Sequence, residues 1–214
     1  MTSHPHHPHQ PLLRLLSDTH VPAEVRHAFG YLRPVAEGLV EGIALDTPDS
    51  IVLLDDKGVA RDGDPATLRA TARANLAALP MGHDRLDRPD GTVLYIVGAG
   101  SAHAASKLLV LDELVREVTG QAPPAEGVLV TVPSRHNLAF HPVVDGTVVS
   151  AVNDLAAFGL GAYQDNPDTC LSPRVYWWRD GTLTSLTVID HETKHFSIRP
   201  PEELLAAMRR LAGV

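Results

Sequence analysis

The run His191-Glu192-Thr193-Lys194-His195 places two histidines four residues apart around a glutamate, the pattern by which zinc peptidases hold their metal. That chemistry needs a helix, which puts both imidazoles on one face, one turn apart, while the glutamate polarises the bound water. The flanks LTVID and FSI read as strand, and Pro200-Pro201 follow closely. On a strand the two imidazoles would stand about 13 Å apart, too far to share one ion. With 12 histidines in the chain a chance match is unsurprising, so the run is read as a turn or strand with surface histidines. A metal site at His191, Glu192 and His195 stands only as the alternative, and otherwise no cofactor is expected.

Gly98, Gly100 and Ser101 form a second candidate. They follow the apolar run VLYIV and precede a helical pattern, an arrangement that can bring an anion to a helix N-terminus. His103 stands where a dinucleotide fingerprint needs Gly or Ala, and VLVTVP ends without the acid that would hold a ribose. What remains is at most generic anion binding, with Ser101 as an N-cap. Ser101, His103, His136, His141 and Asp190 could supply a hydrolase triad, but no G-x-S-x-G elbow selects among them. Cys170 reads as a half-buried small residue. Trp177 and Trp178 are adjacent on a predicted strand, so their rings point to opposite faces. One should enter the core; the other is either covered by another element, the first lobe being the rival, or lies exposed and marks a partner-binding surface.

These residues need a scaffold, and composition says what kind. The chain has 214 residues, 44% of them hydrophobic, enough for one compact domain or two small lobes. A net charge of -8 without a basic run argues against nucleic acid and anionic membranes. The single cysteine forbids an internal disulfide and fits a cytoplasmic setting. Residues 1–10 do not read as a signal peptide, and no apolar run approaches the roughly 20 residues of a membrane span.

The spacing predicts the following elements. Residues 1–20, opening with His4, His6, His7 and His9 among prolines, read as a mobile tail. A helix runs from Pro22 to Leu39 with Pro34 as a kink, and GIALDT and SIVLLDD follow as paired strands. Asp64-Pro65 starts a helix that stops at Pro80, a polar loop spans 81–91, and VLYIV is a strand. A helix from Ser101 to Gly120 leads to the strands EGVLVTVP and HNLAFHP, then to the helical stretch SAVNDLAAFGL. RVYWW and TLTSLTVID flank Asp180-Gly181 as a hairpin, and PEELLAAMRRLAG closes as a helix. The fold class is α+β: two degenerate helix-strand-strand-helix-strand repeats, offset by about 85 residues, forming mostly antiparallel sheet covered by helices. The boundary between lobes 21–100 and 101–214 falls at residue 100, and strands 42–47 and 127–132 are expected to be equivalent.

The segments ARANLAALP (72–80), AASKLL (104–109) and VTVP (130–133), with the hairpin WWRDGTLTSLTV, resemble the YtpQ-like family of bacterial proteins, a group without an assigned activity. In that family an acid typically follows the Val-Pro pair, whereas here Ser134-Arg135-His136 follows. The resemblance implies fold and cellular setting and brings no catalytic residues with it. The expected function is a non-enzymatic, cytoplasmic binding or chaperone-like protein recognising a protein or peptide partner, self-association included. The alternative is a metal-dependent hydrolase using His191, Glu192 and His195 with help from His136 or His141.

Overall fold

The computed structural model describes residues 10–47, 50–98, 100–190, 192–193 and 195–213. Its first sheet is built around β3 (Leu39–Asp46). β1 (Gln10–Ser17) runs antiparallel to β3 over its whole length, from Gln10 opposite Asp46 to Ser17 opposite Leu39. β2 (Arg33–Ala36) and β4 (Ile51–Leu53) share the other edge of β3. Two helices follow, α1 (Asp56–Arg61) and α2 (Pro65–Ala78), and the Asp64 side chain caps α2 by accepting from Thr67 N at 2.8 Å.

The second sheet comprises β5 (His83–Asp87), β6 (Val93–Val97), β7 (Val128–Ser134), β8 (Asn137–Pro142), β9 (Val175–Arg179) and β10 (Thr182–Ser185). Their order is β10-β9-β7-β8-β6-β5, with every neighbouring pair antiparallel. A separate hairpin joins β11 (Thr187–Asp190) to β12 (His195–Ile198). The later helices are α3 (Leu111–Thr119), α4 (Val148–Asp165) and α5 (Glu202–Ala212). Mostly antiparallel sheet with helices packed on it makes this an α+β fold. No helix among the described residues is long and apolar enough to cross a membrane.

Period-two alternation divides the second sheet between two cores. Val128, Val130, Val132, Leu138, Phe140 and Tyr176 face α3 and the 3-10 segment Ala105–Val110, and Leu15 and Leu39 of the first sheet join the same cluster. Leu129, Ala139, Val175 and Trp177 face α4 and Leu204 of α5. Because both faces are covered, every residue of β7 is buried. A third cluster sets Ala72 and Leu76 of α2 against Leu12, Leu13 and Ile43. Each fully buried leucine in these layers contributes about 1.5 to 3 kcal/mol.

Several expectations are corrected. Residues 10–17 are a core strand rather than part of a tail, while residues 1–9, with His4, His6, His7 and His9, lie outside the described residues. The helix expected from Pro22 to Leu39 is a 3-10 turn at Arg26–Ala28 followed by β2 and the start of β3. Its apolar spacing was fortuitous: Val25 is 46% exposed, Pro34 has no amide to donate, and Gly38 turns the chain at φ 81°. The helix expected from Ser101 starts as 3-10 and becomes α-helical only at Leu111, though it ends at Gly120 as foreseen. The polar loop 81–91 contains β5, and TLTSLTVID splits at Leu186 into β10 and β11.

The two-lobe repeat is not realised. β5 and β6, assigned by sequence to the first lobe, lie in the same sheet as β7 to β10. β9 returns to pair with β7, whereas β6, its expected counterpart, pairs with β5 and β8 and not with β3. Strands 42–47 and 127–132 therefore sit in differently connected sheets.

Candidate functional site

The Asp180-Gly181 turn forms as its residue types require, with φ at 49° and 78°, and it fixes Trp178 opposite Leu183 and Trp177 opposite Thr184. The tryptophans part company across the sheet. Trp177 is 4% exposed, packs under α4, donates its ring N–H to Glu126 O at 2.8 Å and has the Arg179 guanidinium 5.6 Å above its ring. Trp178 is half-buried on the other face. Of the two proposed partner-binding residues, Trp177 is thus core and Trp178 alone reaches an open surface.

That surface is a groove of about 730 Å³ between the two sheets. Pro34 and Val35 of β2 form one wall, Trp178 and Leu183 the facing one, and Leu108, Leu111 and the Pro123-Pro124 pair line the rest. Charges surround this apolar lining. Glu41 pairs with Arg69, and Arg73 forks onto Glu113 and reaches Asp112 at 3.4 Å, where Arg116 also binds. Burial works to raise the Glu113 carboxyl, but the bonds it accepts from Arg73 and Asp112 prevail and hold it at about 2. The hydrogen bond with Glu113, together with burial, raises Asp112. Lining acids Glu41, Asp112 and Asp180 face lining arginines Arg73 and Arg116, both already engaged by carboxylates.

Two residues that sequence reasoning passed over, Tyr176 and Arg174, hold the walls in place. Tyr176 is fully buried and donates its hydroxyl to Glu37 O at 2.8 Å, across 139 residues of chain. Arg174 binds the Glu37 carboxylate at 2.8 Å and Thr187 O at 2.6 Å. Both tie β9 to the turn between β2 and β3. The available signal was the aromatic run Tyr176-Trp177-Trp178, and nothing local points Tyr176 at Glu37.

The other candidates are dispersed. Of the zincin-like run, Glu192 and Thr193 lie in a turn and His195 opens β12: Asp190 pairs with His195, and Asp190 Oδ1 accepts from Glu192 N and Thr193 N. His191 lies outside the described residues, and the helical spacing the metal chemistry requires is not formed by Glu192 and His195. Among the described residues no group of three His, Cys, Asp or Glu could hold a metal ion. Ser101 Oγ accepts from His103 N, and Ser101 O from Ala104 N, so the turn amides are used locally and no α-helix starts there. Gly98 is required by packing, since a Cβ would lie 2.4 Å from His136 O, and Gly100 by its φ of 82°. His136 accepts from Arg135 Nε, Cys170 Sγ donates to Pro167 O, and His103 Nε2 lies 3.1 Å from Asp46 Oδ2. His141, 3% exposed, donates Nδ1–H to Val93 O at 2.8 Å, and its buried Nε2 has no hydrogen-bond partner among the described residues. Burial pushes the His141 imidazole below its ordinary value, against the opposing pull of the Val93 carbonyl and Asp145. Ser101 Oγ meets His103 at its backbone N and not at the ring that bonds Asp46, so these bonds form no serine–imidazole–carboxylate relay among the described residues. No family model matches the chain, and no curated protein or solved structure matches it either.

Proposed function

We propose that this chain is a non-enzymatic binding protein whose inter-sheet groove receives an extended peptide segment of a partner protein. The observation that carries the reading is Trp178: a half-buried indole set among prolines and aliphatic side chains in a groove of about 730 Å³. Such a lining favours a proline or aliphatic side chain lying against the indole. The groove's arginines are neutralised by Asp112 and Glu113, and the chain carries a net charge of -8, so basic residues should flank that side chain. A cytoplasmic setting and kinship with the YtpQ-like proteins belong to the same proposal. They are supported by the single cysteine and by the short motifs that form α2, the 3-10 segment and β7.

A displayed library of random peptides tests the reading. Selection on the wild-type chain should enrich proline or aliphatic residues next to Lys or Arg, and Trp178→Ala should weaken the selected peptides by about 1 to 3 kcal/mol while Val188→Ala leaves them unchanged. Peptides that bind Trp178→Ala as well as wild type would defeat the groove assignment. Peptides competing with self-association in sedimentation runs would identify a second copy as the occupant.

A further inference from the structure

Besides the peptide groove, a cleft of about 450 Å³ lies between β1, β4 and the 167–171 loop. One side is apolar, with Leu16, Ile51, Leu53 and Leu171. Arg14, His20 and Arg135 line the rest, the two arginines as cations. Arg14 is only 7% exposed although it stands in the middle of a strand. One of its nitrogens, Nη1, donates to Ala102 O and lies 3.3 Å from His103 Nδ1, whose other ring nitrogen faces Asp46. The imidazole therefore stands between the guanidinium and the carboxylate, accepting from one and donating to the other. Arg14 is oriented by this chain rather than neutralised through a direct pair, and no hydrogen bond engages its Nε or Nη2 among the described residues.

Burial, and after it the charge of Arg135, lower the Arg14 guanidinium to about 10 despite Asp46, so it remains a cation at neutral pH. Burial and the same two arginines depress His20. Arg135 spends its Nε on His136 and is otherwise exposed. Asp168 also lines the cleft, without an ion pair to either arginine among the described residues. Two like charges held toward one cavity are unfavourable alone, and an anion arriving there converts that repulsion into attraction.

We propose that this cleft binds a small phosphomonoester, its phosphoryl group on Arg14 and Arg135 and its apolar body against Leu16, Ile51, Leu53 and Leu171. Two guanidinium groups match a dianion better than a carboxylate, and the forked donors suit phosphoryl oxygens. A cleft of this size suits a ligand of metabolite dimensions. The site is separate from the peptide groove and stands whether or not that reading does.

Calorimetric titration at neutral pH and low salt, with phenyl phosphate, inorganic phosphate and benzoate as probes, tests the assignment. Phenyl phosphate should bind tightest, with benzoate about tenfold weaker or worse. Arg135→Ala, at an exposed position, should keep the wild-type melting temperature and lose about tenfold in affinity for phenyl phosphate, and Arg135→Lys should recover part of it. Arg14→Lys, which keeps the charge but not the fork, should also weaken binding. No heat of binding from phenyl phosphate at about 10 mM, or equal binding by Arg135→Ala and wild type, would overturn the proposal. Benzoate binding as tightly as phenyl phosphate would overturn the phosphoryl assignment, and inorganic phosphate doing so would overturn the apolar subsite.

Discussion

Replacing Tyr176 with phenylalanine isolates the bond that holds the groove walls together. Arg174 N donates to Ser172 Oγ at 3.2 Å, the Ser172 hydroxyl meets Tyr176 Oη at 2.7 Å, and Tyr176 donates onward to Glu37 O at 2.8 Å. Since the tyrosyl proton is committed to Glu37, the serine proton must point at the tyrosyl oxygen. Burial raises the Tyr176 hydroxyl well above its ordinary value, so it stays protonated and keeps donating throughout the neutral range. Tyr176→Phe fills nearly the same volume and leaves the Ser172 proton, 2% exposed, without an acceptor, while the part-buried Glu37 carbonyl can turn to water. One buried donor unsatisfied and one bond exchanged for solvent should cost about 2 kcal/mol, within about 1 to 3. For a chain of this size that lowers the melting temperature by about 4 to 8 °C. Urea unfolding should show the loss at unchanged slope, and acrylamide should quench the tryptophan emission of the folded variant more strongly as β2 swings from β9. A midpoint equivalent to less than about 0.5 kcal/mol from wild type, with unaltered quenching, would refute the view that this chain of bonds sets the groove.

Other perturbations separate scaffold from site. Trp177→Ala should cost about 3 to 5 kcal/mol because it empties core beneath α4, whereas the half-buried Trp178→Ala should cost markedly less in the same urea titration. Gly127→Ala should be severe, by about 3 kcal/mol or more, since φ there is 88° and a Cβ would lie 2.3 Å from Trp178 O; a fully stable variant would mean the 124–127 turn is not held as described. His141 has a folded-state value below its ordinary 6.5, so the unfolded chain takes up the proton first: the stability is fully present above 6.5 and is lost as pH falls from there toward the lowered value. His141→Asn should flatten that acid loss, measured as the difference in urea midpoint between about pH 7.5 and pH 5.5, and an unchanged difference would place the sensitivity elsewhere.

Sequence resolved this fold where the determining signal was local. Asp64-Pro65 capped α2, Asp180-Gly181 made its hairpin, and strict alternation sent Trp177 and Trp178 to opposite faces. It was misleading where burial comes from distant elements. β1 has Leu12, Leu13, Arg14, Leu15 and Leu16 all buried, so its two-sided cover erases the alternation that identifies a strand. The segment after Pro22 carried helical spacing by coincidence, and Pro34 and Gly38 overrode it. The candidate sites divide in the same way. Trp178 was visible, but its neighbours Pro34, Leu108 and Pro124 come from separate regions of the chain. Arg14 was invisible because it lies in a stretch read as tail, and its cleft exists only once the 167–171 loop closes over β1.

The placement of β1 bears on how the chain reaches its native state. Leu15 N donates to Ser106 Oγ, 91 residues further along, and Leu12 and Leu13 are sealed by Ala72 and Leu76 of α2. During synthesis the leucines of this strand leave the ribosome long before their covering residues have been made. Until then the run PLLRLL is an apolar segment with an unpaired edge, the state in which nascent chains aggregate or are held by chaperones. β1 can pair with the nearby β3 early, but covering that pair with α2 and the 3-10 segment closes much longer loops, so refolding from denaturant should be more concentration-sensitive than the native stability alone would indicate.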